Sequence, residues 1–215
     1  MVTGFRGAVL AGVIAAVFAT SFLAEPFRGG GWFWDLGNAL GLLAFAGLLF
    51  QMIPVPRKRS VRRHEVLGYW VLGTAILHAF WFLAGDGTVR FYLLPGGPAH
   101  MWLGLAGLIA LAVLSVLARM PDRLRVHRHY RQFRTAHRIL GFVTVGAAAL
   151  HVVLSGFYLP AWWQAGVLAG VLVACVSGRR NWARLAHAPA ASVSGYLIFG
   201  AMACVLFLLI RDGTP

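Results

Sequence analysis

Seven apolar stretches of 16 to 23 residues dominate this chain, near Gly4 to Ala24, Phe33 to Ile53, Glu65 to Ala84, His100 to Ala118, Thr135 to Phe157, Trp162 to Ser177 and Ser192 to Ile210. A helix needs roughly 17 to 25 residues to cross a hydrocarbon core of about 30 Å. Six of the stretches reach that length, and the sixth in order, at 16 residues, is the shortest. The expected fold class is therefore all-α: an integral membrane helical bundle of about seven transmembrane helices, forming a single domain over residues 1–215. Composition excludes the soluble alternative. The chain is 60% hydrophobic and 12% charged with a mean hydropathy of +0.75, about half the charge of a soluble domain.

The net charge of +13 does not point to nucleic acid, because the arginines sit between spans and not on one face of a soluble fold. Arg57, Lys58, Arg59, Arg62 and Arg63 fill the connection before the third stretch. Seven arginines from Arg119 to Arg138 precede the fifth, and Arg179, Arg180 and Arg184 follow the sixth. With Arg6 these are sixteen of the nineteen basic residues on one side, which the positive-inside bias makes cytoplasmic. The N-terminus is then expected inside and the C-terminus outside. The start resembles a signal peptide, yet its apolar run is long enough to span, and it is read as a retained helix. Cys175 and Cys204 each fall within a stretch and read as small core hydrophobes.

Two segments repeat each other: HEVLGYWVLGTAILH from His64 to His78 and HRILGFVTVGAAALH from His137 to His151. They share His, Leu, Gly, Gly, Ala, Leu and His in register. Fourteen helical residues rise about 21 Å and turn within about 40° of four full turns, so both histidines of a pair share one face. With the third and fifth helices facing each other, two tiers form, His64 opposite His137 and His78 opposite His151. Imidazoles opposed across a bundle are what six-coordinate haem iron requires.

The residues on the histidine seam are small or short: Gly68, Val71 and Ala75 on the third helix, Gly141, Thr144 and Ala148 on the fifth. Such a seam leaves room for a macrocycle. Gly73 and Gly146 fall on the opposite face and are assigned to close helix packing. Four intramembrane histidines at duplicated spacing point to function more than to hydrogen-bonded glue. His100 reads as an interfacial residue, His127 and His129 as part of a headgroup-facing basic segment, and His187 has no evident role.

RRHEVLGYWVLGTAILH and FRTAHRILGFVTVGAAALHVVLSG, within Phe33 to Ser177, resemble the ferric reductase-like transmembrane family. That family includes ferric reductases, NADPH oxidases and the haem subunit of a methionine sulfoxide reductase system. The resemblance implies two stacked haems b, held by His64 with His137 and by His78 with His151. Electrons would pass from a cytoplasmic donor to an extracytoplasmic acceptor. Arg63 and Arg138, with Arg62 and Arg134, are candidates to pair with inner-haem propionates.

Neither a GxGxxG nor a GxxxxGK[ST] motif occurs, so no FAD or NAD(P) site is expected in this chain. The donor would be a separate flavin reductase or membrane quinol, and the acceptor an extracytoplasmic redox partner. Membrane lipid is the other expected partner; nucleic acid is not one. Two alternatives stand beside this reading: a quinol-linked di-haem cytochrome b, and a redox-inactive transporter or scaffold whose histidines bind metal ions or protons.

Overall fold

The computed structural model describes residues 4–22, 31–54, 58–119, 130–157, 159–177 and 192–212. Among these, the chain forms seven α-helices: α1 (Gly4–Phe22), α2 (Trp32–Gln51), α3 (Lys58–Gly85), α4 (Ala99–Arg119), α5 (Tyr130–Ser155), α6 (Trp162–Ser177) and α7 (Val193–Asp212). One short 3-10 helix, Val89–Leu93, precedes α4. Five helices are long and apolar enough to cross a membrane, over Trp32–Gln51, Val61–Gly85, Ala99–Arg119, Arg131–Ser155 and Val193–Arg211. The chain thus has the character of a helical membrane bundle. Arg6–Ser21 and Trp162–Ser177 are apolar but shorter. The 16 residues of α6 rise only about 24 Å at 1.5 Å each.

Helices α3 and α5 begin earlier than their apolar stretches, at Lys58 and Tyr130 in place of Glu65 and Thr135. Hydropathy marks where lipid ends, whereas arginine and lysine are good helix formers and carry the helix past that limit. His64 and His137 consequently sit well inside their helices rather than at the ends. Glycine marks two of the boundaries. Gly31 before α2 has φ 87° and Gly156 after α5 has φ 65°, a region closed to most side chains.

The chain divides into two compact units, one of residues 1–87 and 156–215, the other Thr88–Ser155. In the first, α2 is the central helix and touches α1, α3, α6 and α7. Its Ala39, Leu42, Phe45, Ala46 and Leu49 are all buried. Glycine lets the neighbours approach: a Cβ on Gly47 would lie 2.5 Å from Val71 and 3.0 Å from Tyr196, and one on Gly200 would lie 2.6 Å from Leu43. Several buried polar side chains inside this unit have partners on neighbouring helices or loops. Gln164, fully buried, donates from Nε2 to the Thr20 carbonyl (2.8 Å) and accepts at Oε1 from the Ala161 N–H (2.9 Å). Arg6, also buried, donates to the Pro54 carbonyl at 2.5 Å. Asp35 and Arg211, 0% and 7% exposed at the side chain, lie 3.4 Å apart as a buried ion pair between α2 and α7.

In the second unit α4 and α5 form an antiparallel hairpin. Gly107, Leu111 and Ser115, one turn apart on α4, are its buried stripe, and a Cβ on Gly107 would rest 3.5 Å from the Ala147 methyl. The outward faces of both units remain apolar; on α7 they carry Ile198, Met202, Val205 and Leu209. Outward-facing aliphatic side chains suit a hydrocarbon surround. Cys175 and Cys204 are buried free thiols, as their composition suggested.

Candidate functional site

His78 and His151 are each held by the preceding helix of their own hairpin. His78 on α3 places Nδ1 2.7 Å from the carbonyl oxygen of Gly37 on α2. His151 on α5 places Nδ1 2.7 Å from the carbonyl oxygen of His100 on α4. A carbonyl can only accept, so in each ring Nδ1 carries the proton, and in the neutral imidazole Nε2 is the lone-pair nitrogen. Metal-ligating histidines are oriented in the same way, with the second ring N–H donated to a carbonyl or carboxylate.

A glycine one turn beyond each carbonyl makes room for the ring. A Cβ on Gly41 would lie 2.7 Å from Cε1 and 2.8 Å from Nδ1 of His78. A Cβ on Gly104 would lie 2.8 Å from Nδ1 and 3.0 Å from Cε1 of His151. Both distances are below van der Waals contact, so a side chain at either position would displace the imidazole. The arrangement is the same twice: carbonyl at n, glycine at n+4, histidine Nδ1 between them.

His64 and His137 are placed differently. The His64 carbonyl accepts from Gln51 Nε2 at the end of α2 (2.8 Å), and that amide lies 3.4 Å from where a Gly68 Cβ would stand. His137 is half-buried, with its ring 5.7 Å from Phe133 one turn earlier. Arg62, Arg63, Arg134 and Arg138 are exposed.

Of the seam residues, Ala75, Gly141 and Ala148 are half-buried, as is Gly68. Val71 and Thr144 are fully buried within their own hairpins, Val71 against Gly47 and Thr144 with its hydroxyl on the Leu140 carbonyl (2.8 Å). Those two positions serve helix packing. Gly73 and Gly146, assigned to packing from sequence, do not serve it: a Cβ at either meets no described atom within 4 Å. Offset alone had put them opposite the histidines, but the neighbouring helix packs along a different stripe, centred on Val71 and on Thr144. His127, His129, His187, Arg57, Arg179, Arg180 and Arg184 lie outside the described residues.

Sequence reasoning passed over Gly41, Gly104 and the carbonyls they flank. A signal was there: Leu40-Gly41-Leu42 and Leu103-Gly104-Leu105 repeat on α2 and α4, extending the duplication from one helix to a helix pair. His100, read as merely interfacial, supplies the acceptor for His151, and its own half-buried ring lies 6.0 Å from that of His151. Among the described residues no three His, Cys, Asp or Glu side chains cluster as a protein-only metal cage would require. A bis-His haem asks for only two protein ligands. Comparison of the chain with family models, curated proteins and solved structures found no match.

Proposed function

We propose that this protein conveys electrons across a membrane through two haems b, with His64 and His137 as axial ligands of an inner haem and His78 and His151 of an outer one. The observation that carries the reading is the duplicated cradle, in which a backbone carbonyl accepts from Nδ1–H of His78 and of His151, the tautomer in which Nε2 carries the lone pair. Histidines acting only as interhelical glue have no need of the same tautomer, the same acceptor type and the same glycine twice. His78 and His151 suit haem ligation, being imidazoles oriented through Nδ1 in apolar helices, and Gly68, Ala75, Gly141 and Ala148 leave little bulk on the histidine seam. Bound there, a bis-His haem supplies reversible one-electron chemistry between ferric and ferrous iron.

The chain's own residues do the rest. The carbonyls of Gly37 and His100 hold the outer rings, while Gln51 fastens the start of α3 beside His64. Arg63 and Arg138, exposed beside His64 and His137, suit haem propionates or an acidic donor surface. On the positive-inside bias the sixteen basic residues between the apolar stretches would face the cytoplasm, so that electrons would enter from a flavin reductase or from quinol and leave to an extracytoplasmic acceptor.

Purified, haem-replete protein should give a reducible b-type spectrum with two haems per chain. His78→Ala or His151→Ala should remove one haem and leave the other. Colourless protein, or variants that retain both haems, would overturn the assignment.

A further inference from the structure

Beside the carbonyl that holds it, His78 meets a series of aromatic rings. The His78 imidazole meets Phe82 edge-on at 5.4 Å between centroids. Phe82 meets Trp34 at 4.9 Å, tilted by 36°. Trp34 in turn stacks on Phe157 at 6.1 Å and 20°. Phe82 is buried, Trp34 half-buried and Phe157 58% exposed, so the series runs from the histidine to the surface without a gap between rings. Two glycines permit it: Gly37 lies directly under Phe82, and Gly85 lies directly under Phe33, which flanks Phe82 at 6.0 Å.

We propose that Phe82, Trp34 and Phe157 are the electron exit from the His78 site, carrying one electron from the outer haem to a one-electron acceptor in the aqueous phase at Phe157. This rests on the haem reading above. The step balances simply: ferrous iron becomes ferric, the acceptor gains the electron, and no atom or proton moves. The rings are neither oxidised nor reduced as stable species; their polarisable π systems and dense packing make a better bridge than aliphatic side chains or a gap. Aromatic side chains also gather at membrane interfaces as anchors. Anchoring, however, requires each ring to reach the interface and does not require a ring series leading inward to a histidine.

The test attaches a thiol-reactive tris(bipyridyl)ruthenium complex to a Phe157→Cys variant of the full chain; Cys175 and Cys204 are buried and leave that site as the reactive one. After a flash, the excited complex gives one electron to ferric haem, and aniline in solution re-reduces the complex. The readout is the rate of haem reduction by transient absorbance, taken with the static haem spectrum. Trp34→Leu and Phe82→Leu should slow the rate severalfold at an unchanged spectrum, and Trp34→Phe should retain most of it. Equal rates in the Leu and aromatic variants would overturn the exit while leaving the haem reading intact. A labelled protein that binds no haem would overturn both.

Discussion

Four glycines in the two hairpins should respond to the same small substitution in opposite directions. Replacing Gly41 by Ala puts a methyl 2.7 Å from Cε1 and 2.8 Å from Nδ1 of His78, where about 3.5 Å is the closest comfortable approach. The ring must retreat by most of an ångström, and the 2.7 Å bond to the Gly37 carbonyl stretches beyond hydrogen-bond range. Overpacking of this kind costs about 1 to 3 kcal/mol, and losing the bond costs about 0.5 to 1.5 kcal/mol more. Against this stands the gain in helix propensity of Ala over Gly, about 1 kcal/mol. The overlap wins, and Gly41→Ala and Gly104→Ala should each destabilise by about 0.5 to 3.5 kcal/mol.

At Gly73 and Gly146 only the propensity gain acts, because a new Cβ meets nothing within 4 Å. Gly73→Ala and Gly146→Ala should stabilise by about 1 kcal/mol, a rise in Tm of about 2 to 4 °C for a chain of this size. The buried thiols of Cys175 and Cys204 provide the assay: in detergent, a thiol-reactive fluorophore reports unfolding as each becomes accessible on heating. If Gly41→Ala raised the midpoint as Gly73→Ala does, the cradle would not constrain His78. If Gly73→Ala lowered it, the glycine at that position would be packed after all.

The same assay serves two further substitutions. Asp35→Asn removes the carboxylate charge facing the buried Arg211 guanidinium, which should cost about 3 to 5 kcal/mol, while the double variant Asp35→Leu with Arg211→Met should recover most of that loss; a single variant with wild-type stability would show that the ion pair does not contribute. Gln164→Leu removes the partner of both the Ala161 N–H and the Thr20 carbonyl and should lower stability by about 1 to 3 kcal/mol, whereas a neutral result would mean that these two groups find water instead.

The helices were legible because lipid imposes a length, and length is written in hydropathy. The registers of α2, α4 and α7 follow from that alone, to within one or two residues. The starts of α3 and α5 were not legible, since a basic segment reads as a loop to a hydropathy scale and as good helix to the backbone. The histidine pairs were visible as a repeat, but their hydrogen bonds were not. A bond from His78 to Gly37 spans 41 residues and ends on a carbonyl, a group every residue carries and no side-chain pattern announces. The Asp35–Arg211 pair was hidden for a related reason: two isolated charges at the edges of apolar stretches resemble topology signals until the packing of α7 on α2 brings them together.

The four-residue step from carbonyl to glycine has a physical origin, and it explains why the two come as a unit. Within a helix each carbonyl already accepts from the N–H four residues later, which leaves one lone pair. A histidine on the neighbouring helix can reach that lone pair only by passing close to residue n+4, which lies over n on the same face. Any Cβ there blocks the approach, so glycine at n+4 is the condition for using the carbonyl at n. In lipid the requirement is strict, because an imidazole N–H without an acceptor costs several kcal/mol. His78 and His151 find their Nδ1 acceptors on the adjacent helix, and Leu40-Gly41-Leu42 and Leu103-Gly104-Leu105 are the sequence trace of that arrangement. The duplicated structural element is then the two-helix hairpin, and the histidine-bearing helix is only half of it.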